Sequence, residues 1–101
     1  MQFILIARDG TDAGALDRRL AAREAHIALG DELVARGNML YGGALLDESD
    51  KMIGSVLVLD YPSRAELDEW LRIEPYVVGD VWREIDVQPF RVGPSFAGLH
   101  R

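Results

Sequence analysis

The stretch from Gln2 to Arg8, QFILIAR, is the first of two segments that decide the fold. It is rich in β-branched and aromatic residues and is followed by Asp9-Gly10, which predicts a strand that ends in a turn. Successive side chains of a strand point to opposite faces, and both faces are apolar here: Phe3, Leu5 and Ala7 on one side, Ile4 and Ile6 on the other. We therefore expect this strand to be covered on both faces.

The second deciding segment, Ile53 to Tyr61, has the sequence IGSVLVLDY and the same two-sided pattern. Its apolar residues are Ile53, Leu57 and Leu59 on one face, and Val56 and Val58 on the other. A further strand is predicted from Met39 to Leu45. The polar segment 46–52 between these two strands predicts a hairpin connection.

A long helix is predicted between the first two strands, from Ala13 to Arg36. Its apolar residues recur with a helical period and predict one buried stripe: Leu16, Leu20, Ile27 and Val34. Asp12 is the expected N-cap of this helix, and Gly37 is the expected stop.

A second helix is predicted after Pro62, because Ser63 and Glu66 have the spacing of a capping box. Its expected buried side chains are Leu67, Trp70 and Leu71. Pro75 either ends this helix or begins a short turn of another. The last strand is predicted from Val81 to Val92, with Pro89 indicating an edge position or a bulge.

The element order strand, helix, strand, strand, helix, strand predicts an α+β fold of the ferredoxin-like βαββαβ type, with a four-stranded antiparallel sheet. Both helices then cover one face of the sheet only. Because two strands are apolar on both sides, we expect a second copy of the chain to cover the other face, which predicts a homodimer. The alternative is that Ile4, Ile6, Val56 and Val58 are scattered surface residues.

Composition excludes several classes of protein. The chain has 101 residues, with 11 Lys and Arg against 17 Asp and Glu, and its net charge of −6 argues against a nucleic-acid partner. It has no cysteine, so it has neither a disulfide framework nor a thiolate nucleophile. No apolar run approaches the about 20 residues of a membrane span, and no basic stretch of a secretory signal precedes the first strand, so the cytoplasm is the default location.

A candidate acid–base group lies on the first helix. Arg19, Arg23 and His26 share one side of this helix, next to the predicted apolar stripe. An imidazole there could exchange a proton near neutral pH, and a guanidinium one turn away could hold a carboxylate, phenolate or enolate oxygen. The alternative is a half-buried packing histidine beside two solvated arginines.

A second candidate region is Glu74-Pro75-Tyr76, where the residue before a proline is pushed out of the helical conformation. If Glu74 reaches His26, it would fix the tautomer of the imidazole, whereas the alternative is a solvated glutamate at a helix end. Gly42-Gly43 allows close approach of a ligand to the backbone, and an ordinary bulge explains this pair equally well.

Metal and cofactor sites are not expected. Asp47, Glu48 and Asp50 lack the glycine and the distal glutamate of a calcium loop. Only one histidine, His26, lies inside a predicted element, which leaves a catalytic metal without a second histidine ligand. The chain has no phosphate-binding loop, dinucleotide fingerprint or nucleophile elbow.

Four motifs resemble the YCII-related (YciI-like) domain family. They are RLAAREAH (19–26), GNMLYGG (37–43), EPYVV (74–78) and VQPF (87–90). Together, in this order, they span nearly the whole chain. We expect the domain over residues 1–93, and residues 94–101 to form a C-terminal tail.

The resemblance implies a ferredoxin-like α+β fold that dimerises into an α/β barrel. It also implies an active site formed by a histidine of the first helix and an aspartate of an Asp-Pro-aromatic motif. His26 matches the first position, and Glu74 stands at the second, so the carboxylate is kept on a longer side chain. Gly43-Ala44 replaces the Gly-Pro that many relatives have.

Two functional hypotheses follow. The first is a small enzyme without a cofactor, in which His26 is the general acid or base, Glu74 orients it, and Arg23 and Arg19, with Gly43 beside them, bind a small substrate. The reaction would be an isomerisation, an elimination or a hydrolysis on a small anionic molecule, and the family resemblance implies that this molecule is aromatic or lactone-like. The second is a dimeric module without catalysis that binds a small ligand or a protein partner.

Overall fold

The computed structural model describes residues 1–100, and residue 100 by its backbone alone. Its strands are β1 (Gln2–Asp9), β2 (Met39–Leu46), β3 (Met52–Asp60) and β4 (Trp82–Phe90). Its α-helices are α1 (Ala15–Arg36), α2 (Arg64–Leu71) and α3 (Pro75–Val78), and a C-terminal 3-10 helix spans Pro94–His100. The predicted α+β ferredoxin-like arrangement is therefore confirmed. Arg101, the last residue of the expected tail, lies outside the described residues.

The sheet has the strand order β2-β3-β1-β4, and every neighbouring pair is antiparallel. The two strands that are apolar on both faces, β1 and β3, are the central pair, as expected for the most buried positions. β4 is an edge strand, which explains how it accommodates Pro89. The predicted hairpin joins β2 to β3, and the carboxylate of Asp47 closes its tip by accepting hydrogen bonds from the backbone N–H groups of Ser49 and Lys51.

The hydrophobic core lies between the helices and one face of the sheet. Phe3, Leu5 and Ala7 of β1 are almost completely buried there, as the strand pattern predicts. α2 contributes Leu67 and Trp70, also as predicted. The hydroxyl of Ser63 caps this helix by accepting a hydrogen bond from the backbone N–H of Glu66.

The buried face of α1 differs from the prediction. Leu20, Ile27 and Val34 are 52%, 43% and 59% exposed, so the predicted stripe lies mostly on the surface. The face that packs on the sheet is one position away, and its buried residues are Ala15, Arg19 and Leu33. Ala22 and Leu29 pack against the core on this same face, and the buried Arg19 is tolerated there because its charge is paired with Asp9 inside the fold. A difference of one position corresponds to a rotation of about 100° around the helix axis.

The beginning of α1 also differs from the prediction. The N-cap is Gly14 rather than Asp12, and no side chain caps the helix. The carboxylate of Asp12 instead accepts two hydrogen bonds from the guanidinium of Arg18, at 2.7 and 2.8 Å. A bidentate pair with an arginine has replaced the capping hydrogen bond. The end of the helix at Gly37 is as predicted, with a positive φ of 80°.

The outer face of the sheet, opposite the helices, carries a continuous apolar patch. Ile4 is paired with Val58, and Ile6 with Val56, across the two central strands. These four side chains are therefore neighbours rather than scattered surface residues. Beside them a groove of about 430 Å³ is lined by residues of the sheet and the C-terminal segment: Leu40, Tyr41, Val58, Phe90, Val92, Gly93, Phe96 and Leu99.

None of the helices in residues 1–100 is both long enough and apolar enough to span a membrane.

Candidate functional site

His26 and Glu74 are in direct contact, although 48 positions separate them in the sequence. The imidazole Nδ1 and the carboxylate Oε1 are hydrogen-bonded. They meet because α3 packs against α1, and because His26 lies on the face of α1 that also carries Arg19, one heptad before it. An ionised carboxylate can only accept a hydrogen bond, so this contact places the imidazole hydrogen on Nδ1.

The backbone around Glu74 explains why its side chain points inward. Glu74 is the N-cap of α3, with φ −61° and ψ 123°, and Pro75 takes the first helical position. Its Oε1 also accepts a hydrogen bond of 3.3 Å from the backbone N–H of Tyr76. Glu74 is completely buried, and its second oxygen, Oε2, has no hydrogen-bond partner among the described residues.

The plane of the imidazole is fixed by aromatic packing. The rings of His26 and Tyr76 are stacked, with centroids 3.9 Å apart and planes inclined by 13°. Trp82 packs against both rings with its edge, at centroid distances of 5.9 Å from His26 and 5.6 Å from Tyr76. These stacked and edge contacts restrict the rotation of the imidazole ring. The imidazole Nε2 forms no hydrogen bond with the described residues. It is not among the buried atoms that lack a partner, so this nitrogen is accessible to solvent.

Arg19 lies deeper than the sequence indicates. It is 3% exposed, and its Nη1 donates to both carboxylate oxygens of Asp9, at 3.0 and 3.1 Å. Its guanidinium carbon also lies 4.7 Å from the centre of the Tyr76 ring, a cation–π contact. The charge of Arg19 is therefore already offset by Asp9. Arg19 packs against the aromatic stack and is not a free cation for a ligand.

Ser55 connects this ion pair to Trp82. Its hydroxyl oxygen accepts one hydrogen bond from Nη2 of Arg19 and one from Nε1 of Trp82, both 3.1 Å long. The sequence analysis did not identify Asp9, Ser55 or Trp82, and it placed Tyr76 in a candidate region without assigning it a role. Strand alternation contained the information for two of them, since Asp9 follows Phe3, Leu5 and Ala7 on the inner face, and Ser55 is paired with Ala7.

These groups border a cavity of about 180 Å³ between α1, α3 and the β2 edge of the sheet. It is lined by Arg19, Arg23, His26, Ile27, Gly42, Gly43, Ala44, Met52, Ser55, Leu57 and Tyr76. Four of the five candidate residues from the sequence therefore line it, and the fifth, Glu74, lies behind His26. Arg23 is exposed and forms no ion pair within the described part of the chain.

The two glycines at the cavity, Gly42 and Gly43, differ in the space that a side chain would find there. A Cβ at Gly42 would overlap the side chain of Leu57, so the absence of a side chain lets the core pack closely there. A Cβ at Gly43 would meet nothing within 4 Å. Gly43 is paired with Val56, so this open space lies on the outer face of the sheet, while its backbone borders the cavity.

Burial changes the ionisation of two tyrosines near Glu74. It raises the pKa of Tyr61 to about 12, and the charge of Glu74 adds to this effect. Burial also raises the pKa of Tyr76, although the arginines Arg19 and Arg23 oppose it. Both phenols are therefore neutral at physiological pH and cannot act as bases.

An exposed ion-pair network joins the start of α1 to the start of β4, outside the cavity. The hydrogen bond from Arg18 lowers the pKa of Asp12, and the hydrogen bond from Arg83 lowers that of Asp80. Arg18 also donates a 3.0 Å hydrogen bond to the backbone carbonyl of Asp80. This network attaches the helix to the strand without using a group of the cavity.

Within residues 1–100, no group of three or more His, Asp or Glu side chains is arranged to hold a metal ion. The polar side-chain groups at the cavity are one imidazole, the carboxylate behind it, two guanidinium groups and the hydroxyl of Ser55. This set suits the binding of an anionic organic molecule and the transfer of a proton.

The chain is similar to several known proteins. It is 29% identical over 97 residues to protein YciI of Escherichia coli O6:H1, covering 90% of this chain and 97% of that protein. An uncharacterised protein of Haemophilus influenzae matches with the same identity and the same coverage.

Solved structures share the fold. The 5-chloro-2-hydroxyhydroquinone dehydrochlorinase of Burkholderia phenoliruptrix, solved in complex with 2,5-dihydroxybenzoquinone, superposes with a TM-score of 0.79 at 23% identity, covering 94% of this chain and 98% of that chain. An antibiotic biosynthesis monooxygenase superposes with a TM-score of 0.52 at 19% identity, covering 93% of this chain and 100% of that one.

The sequence profile of the YCII-related domain matches residues 1–91, from β1 through the end of β4. The resemblance of the four motifs is thus supported over nine-tenths of the chain, and the protein belongs to the YCII-related domain family.

Proposed function

We propose that this protein is a small enzyme that moves a proton on a ring-sized molecule bearing an anionic oxygen, without a cofactor. His26 is the general acid or base, Glu74 orients it, and Arg23 binds the anionic oxygen. Arg19 and Tyr76 are positioning residues, because Tyr76 stacks on His26 and Arg19 contacts the Tyr76 ring. We expect this activity in the cytoplasm.

The contact between His26 and Glu74 carries the proposal. When the hydrogen is on Nδ1, the accessible nitrogen Nε2 carries a lone pair. This is the arrangement of a general base. The stacked Tyr76 ring allows the imidazole little rotation. A positioned acid or base of this kind accelerates a reaction by about 10²- to 10⁴-fold.

Cavity size and charge support the substrate class. The volume of about 180 Å³ is close to the roughly 150 Å³ that hold one benzene molecule, so one substituted ring or a chain of similar size fits. Arg23 is the one guanidinium of the cavity that forms no ion pair among residues 1–100, so it is available for an anionic oxygen.

The structural similarity to the dehydrochlorinase agrees with the proposed substrate class, since the name of that enzyme describes a hydroxylated, chlorinated ring as its substrate. In the proposed step Nε2 of His26 removes a proton from a hydroxyl group or from a carbon next to a carbonyl. The electron pair left behind forms a phenolate or an enolate, and Arg23 stabilises its negative oxygen. The imidazolium then returns the proton at another atom of the ring, or it protonates a departing group.

The test is proton exchange in deuterated water. Monocyclic polyhydroxybenzenes and hydroxylated cyclic enones would be incubated with the protein, and NMR would detect deuterium in carbon-bound positions or new products. We expect His26→Gln to lower the rate by about 10²- to 10⁴-fold. Val34→Ala is the matched control, because it changes an exposed residue of the same helix.

Equal rates for His26→Gln and the unaltered protein would contradict the proposal. Binding of these compounds without exchange or product would favour a non-catalytic binding module instead.

We also propose that two copies associate through the outer face of the sheet. The central pairs Ile4–Val58 and Ile6–Val56 form a patch on the face of the sheet opposite the α-helices. The fold is one that also occurs in dimeric α/β barrel proteins, and the superposition on the dehydrochlorinase supports that assignment. A second copy would bury this patch against an identical one.

A further inference from the structure

The hydroxyl group of Ser55 is oriented by its neighbours. Ser55 is 2% exposed and lines the cavity. Two nitrogen atoms, Nη2 of Arg19 and Nε1 of Trp82, approach its oxygen at 3.1 Å. Neither nitrogen can accept a hydrogen bond, because guanidinium and indole N–H groups are donors only.

A serine hydroxyl has one hydrogen to donate and two lone pairs that accept. In Ser55 both lone pairs are therefore occupied by donors. The hydrogen is left to point in the remaining direction, and none of the described residues accepts it. Because Ser55 forms part of the cavity wall, an acceptor on a bound molecule is the partner that this hydrogen can reach.

The two donors also make the hydroxyl group of Ser55 a stronger hydrogen-bond donor. Arg19 carries a full positive charge and holds two oxygens of Asp9 on its other side, so it cannot turn away from Ser55 without breaking a buried ion pair. A positively charged donor on the oxygen polarises the O–H bond, and hydrogen bonds in a buried chain reinforce one another. Such a fixed, polarised donor favours an anionic acceptor over a neutral one.

We infer that Ser55 is a specificity-determining residue that donates a hydrogen bond to an anionic ring oxygen, such as a phenolate or an enolate oxygen, of the bound molecule. This inference rests on the proposed substrate class and deepens it. Ser55 and Arg23 then provide two donors of different kinds, a directed hydroxyl inside the cavity and an exposed guanidinium at its rim. Asp9, Arg19 and Trp82 act as the support that aims the hydroxyl.

The test compares two probes of similar size, 4-nitrophenolate and nitrobenzene, at a pH above the pKa of the free phenol. Dissociation constants would be measured by absorbance titration or calorimetry. We expect the unaltered protein to prefer the anion and Ser55→Ala to lower this preference by about 10- to 100-fold, the range for one hydrogen bond to a charged group. The affinity for nitrobenzene should change much less.

Ser49→Ala is the matched control, because it removes a serine hydroxyl from the exposed tip of the hairpin. The preference for the anion should be unchanged in Ser49→Ala. Trp82→Phe removes one of the two donors that aim the Ser55 hydroxyl but leaves its hydrogen in place, so we expect a smaller loss of preference there than in Ser55→Ala. A merely structural role of Ser55 would lower the affinity for both probes equally and leave the preference unchanged. If Ser55→Ala does not fold, Ser55→Cys retains a similar volume with a much weaker donor, and we expect the same direction of change.

Three results would overturn the inference: failure of the unaltered protein to bind 4-nitrophenolate at millimolar concentration, equal affinity for the two probes, and an unchanged preference in Ser55→Ala or in Ser55→Cys. The measurement needs no turnover. It can therefore succeed where the proton-exchange experiment fails, and the two proposals are distinguishable.

Discussion

The imidazole of His26 lies flat on the ring of Tyr76, with a centroid separation of 3.9 Å. The guanidinium of Arg19 contacts the same Tyr76 ring at 4.7 Å from its centre. One aromatic ring thus links the half-buried candidate acid–base group to the buried pair of Arg19 and Asp9. The orientation of His26 depends on both Tyr76 and Glu74. The stack on Tyr76 fixes the plane of the imidazole, and the hydrogen bond to Glu74 fixes its rotation within that plane.

Loss of the carboxylate should change the tautomer of His26. In Glu74→Ala the acceptor that holds the hydrogen on Nδ1 is gone, so we expect the population with hydrogen on Nε2 to rise. Nitrogen-15 NMR of the imidazole distinguishes the two tautomers. Glu69→Ala is the control, because it removes an exposed carboxylate from the neighbouring helix α2. An unchanged tautomer in Glu74→Ala would show that the hydrogen bond does not set it.

Removal of Asp9 should destabilise the fold strongly. Asp9→Ala leaves the guanidinium of Arg19 buried without its partner carboxylate, and breaking a buried pair in this way typically costs about 3–5 kcal/mol of the free energy of unfolding. Urea denaturation measures the change. The double variant Asp9→Leu with Arg19→Met should recover most of the loss, because it leaves no unpaired charge.

Asp12→Ala is the control for this experiment, since it also removes a carboxylate from an arginine but on the surface. We expect a much smaller loss there, because solvent screens exposed pairs. Equal losses in Asp9→Ala and Asp12→Ala would mean that the buried pair does not contribute as argued.

The sheet and its two-sided strands could be predicted from the sequence, because the side-chain alternation of a strand is a local property. Phe3 and Leu5 face the core while Ile4 and Ile6 face outward, as the alternation predicts. The hairpin and the cap at Ser63 were predictable for the same reason. Each depends on residues that lie a few positions apart.

Hydrophobicity alone does not decide the buried face of α1, because the helix carries two apolar stripes one position apart. One consists of Leu16, Leu20, Ile27 and Val34, and the other of Ala15, Ala22, Leu29 and Leu33. The second stripe packs on the core together with Arg19, which pairs with a carboxylate from β1, whereas Leu20 is 52% exposed. The contact of His26 with Glu74 depends likewise on how α3 packs on α1. Family resemblance indicated these two residues as a pair, but their geometry required the tertiary structure.

The stability of the protein should fall in strongly alkaline solution because of Tyr61. Burial raises its pKa from 10.0 to about 12, so between these values the phenol stays protonated in the folded chain and ionises in the unfolded chain. The unfolded state then binds fewer protons, and the free energy of unfolding decreases as pH rises through this interval. This contribution is fully present below pH 10.

Tyr61→Phe should show a smaller loss over the same interval, and at neutral pH it should be as stable as the unaltered protein, because the Tyr61 hydroxyl is buried without a hydrogen-bond partner among the described residues. Denaturation at several pH values measures both effects. Tyr41→Phe, which removes the hydroxyl of a ring that is 77% exposed, is the control. A decline as steep in Tyr61→Phe as in the unaltered protein would refute this explanation.

A charge at the centre of the outer face should separate the proposed dimer. Val58 is paired with Ile4 in the middle of the apolar patch, so Val58→Asp would place a carboxylate opposite its own copy in a symmetric interface. We expect the mass measured by light scattering after size-exclusion chromatography to fall from that of two chains to that of one. Val34→Asp tests the competing surface, the exposed apolar stripe of α1. A single-chain mass for Val34→Asp with two chains for Val58→Asp would move the interface to that helix, since only the surface that is buried between copies is sensitive to a charge.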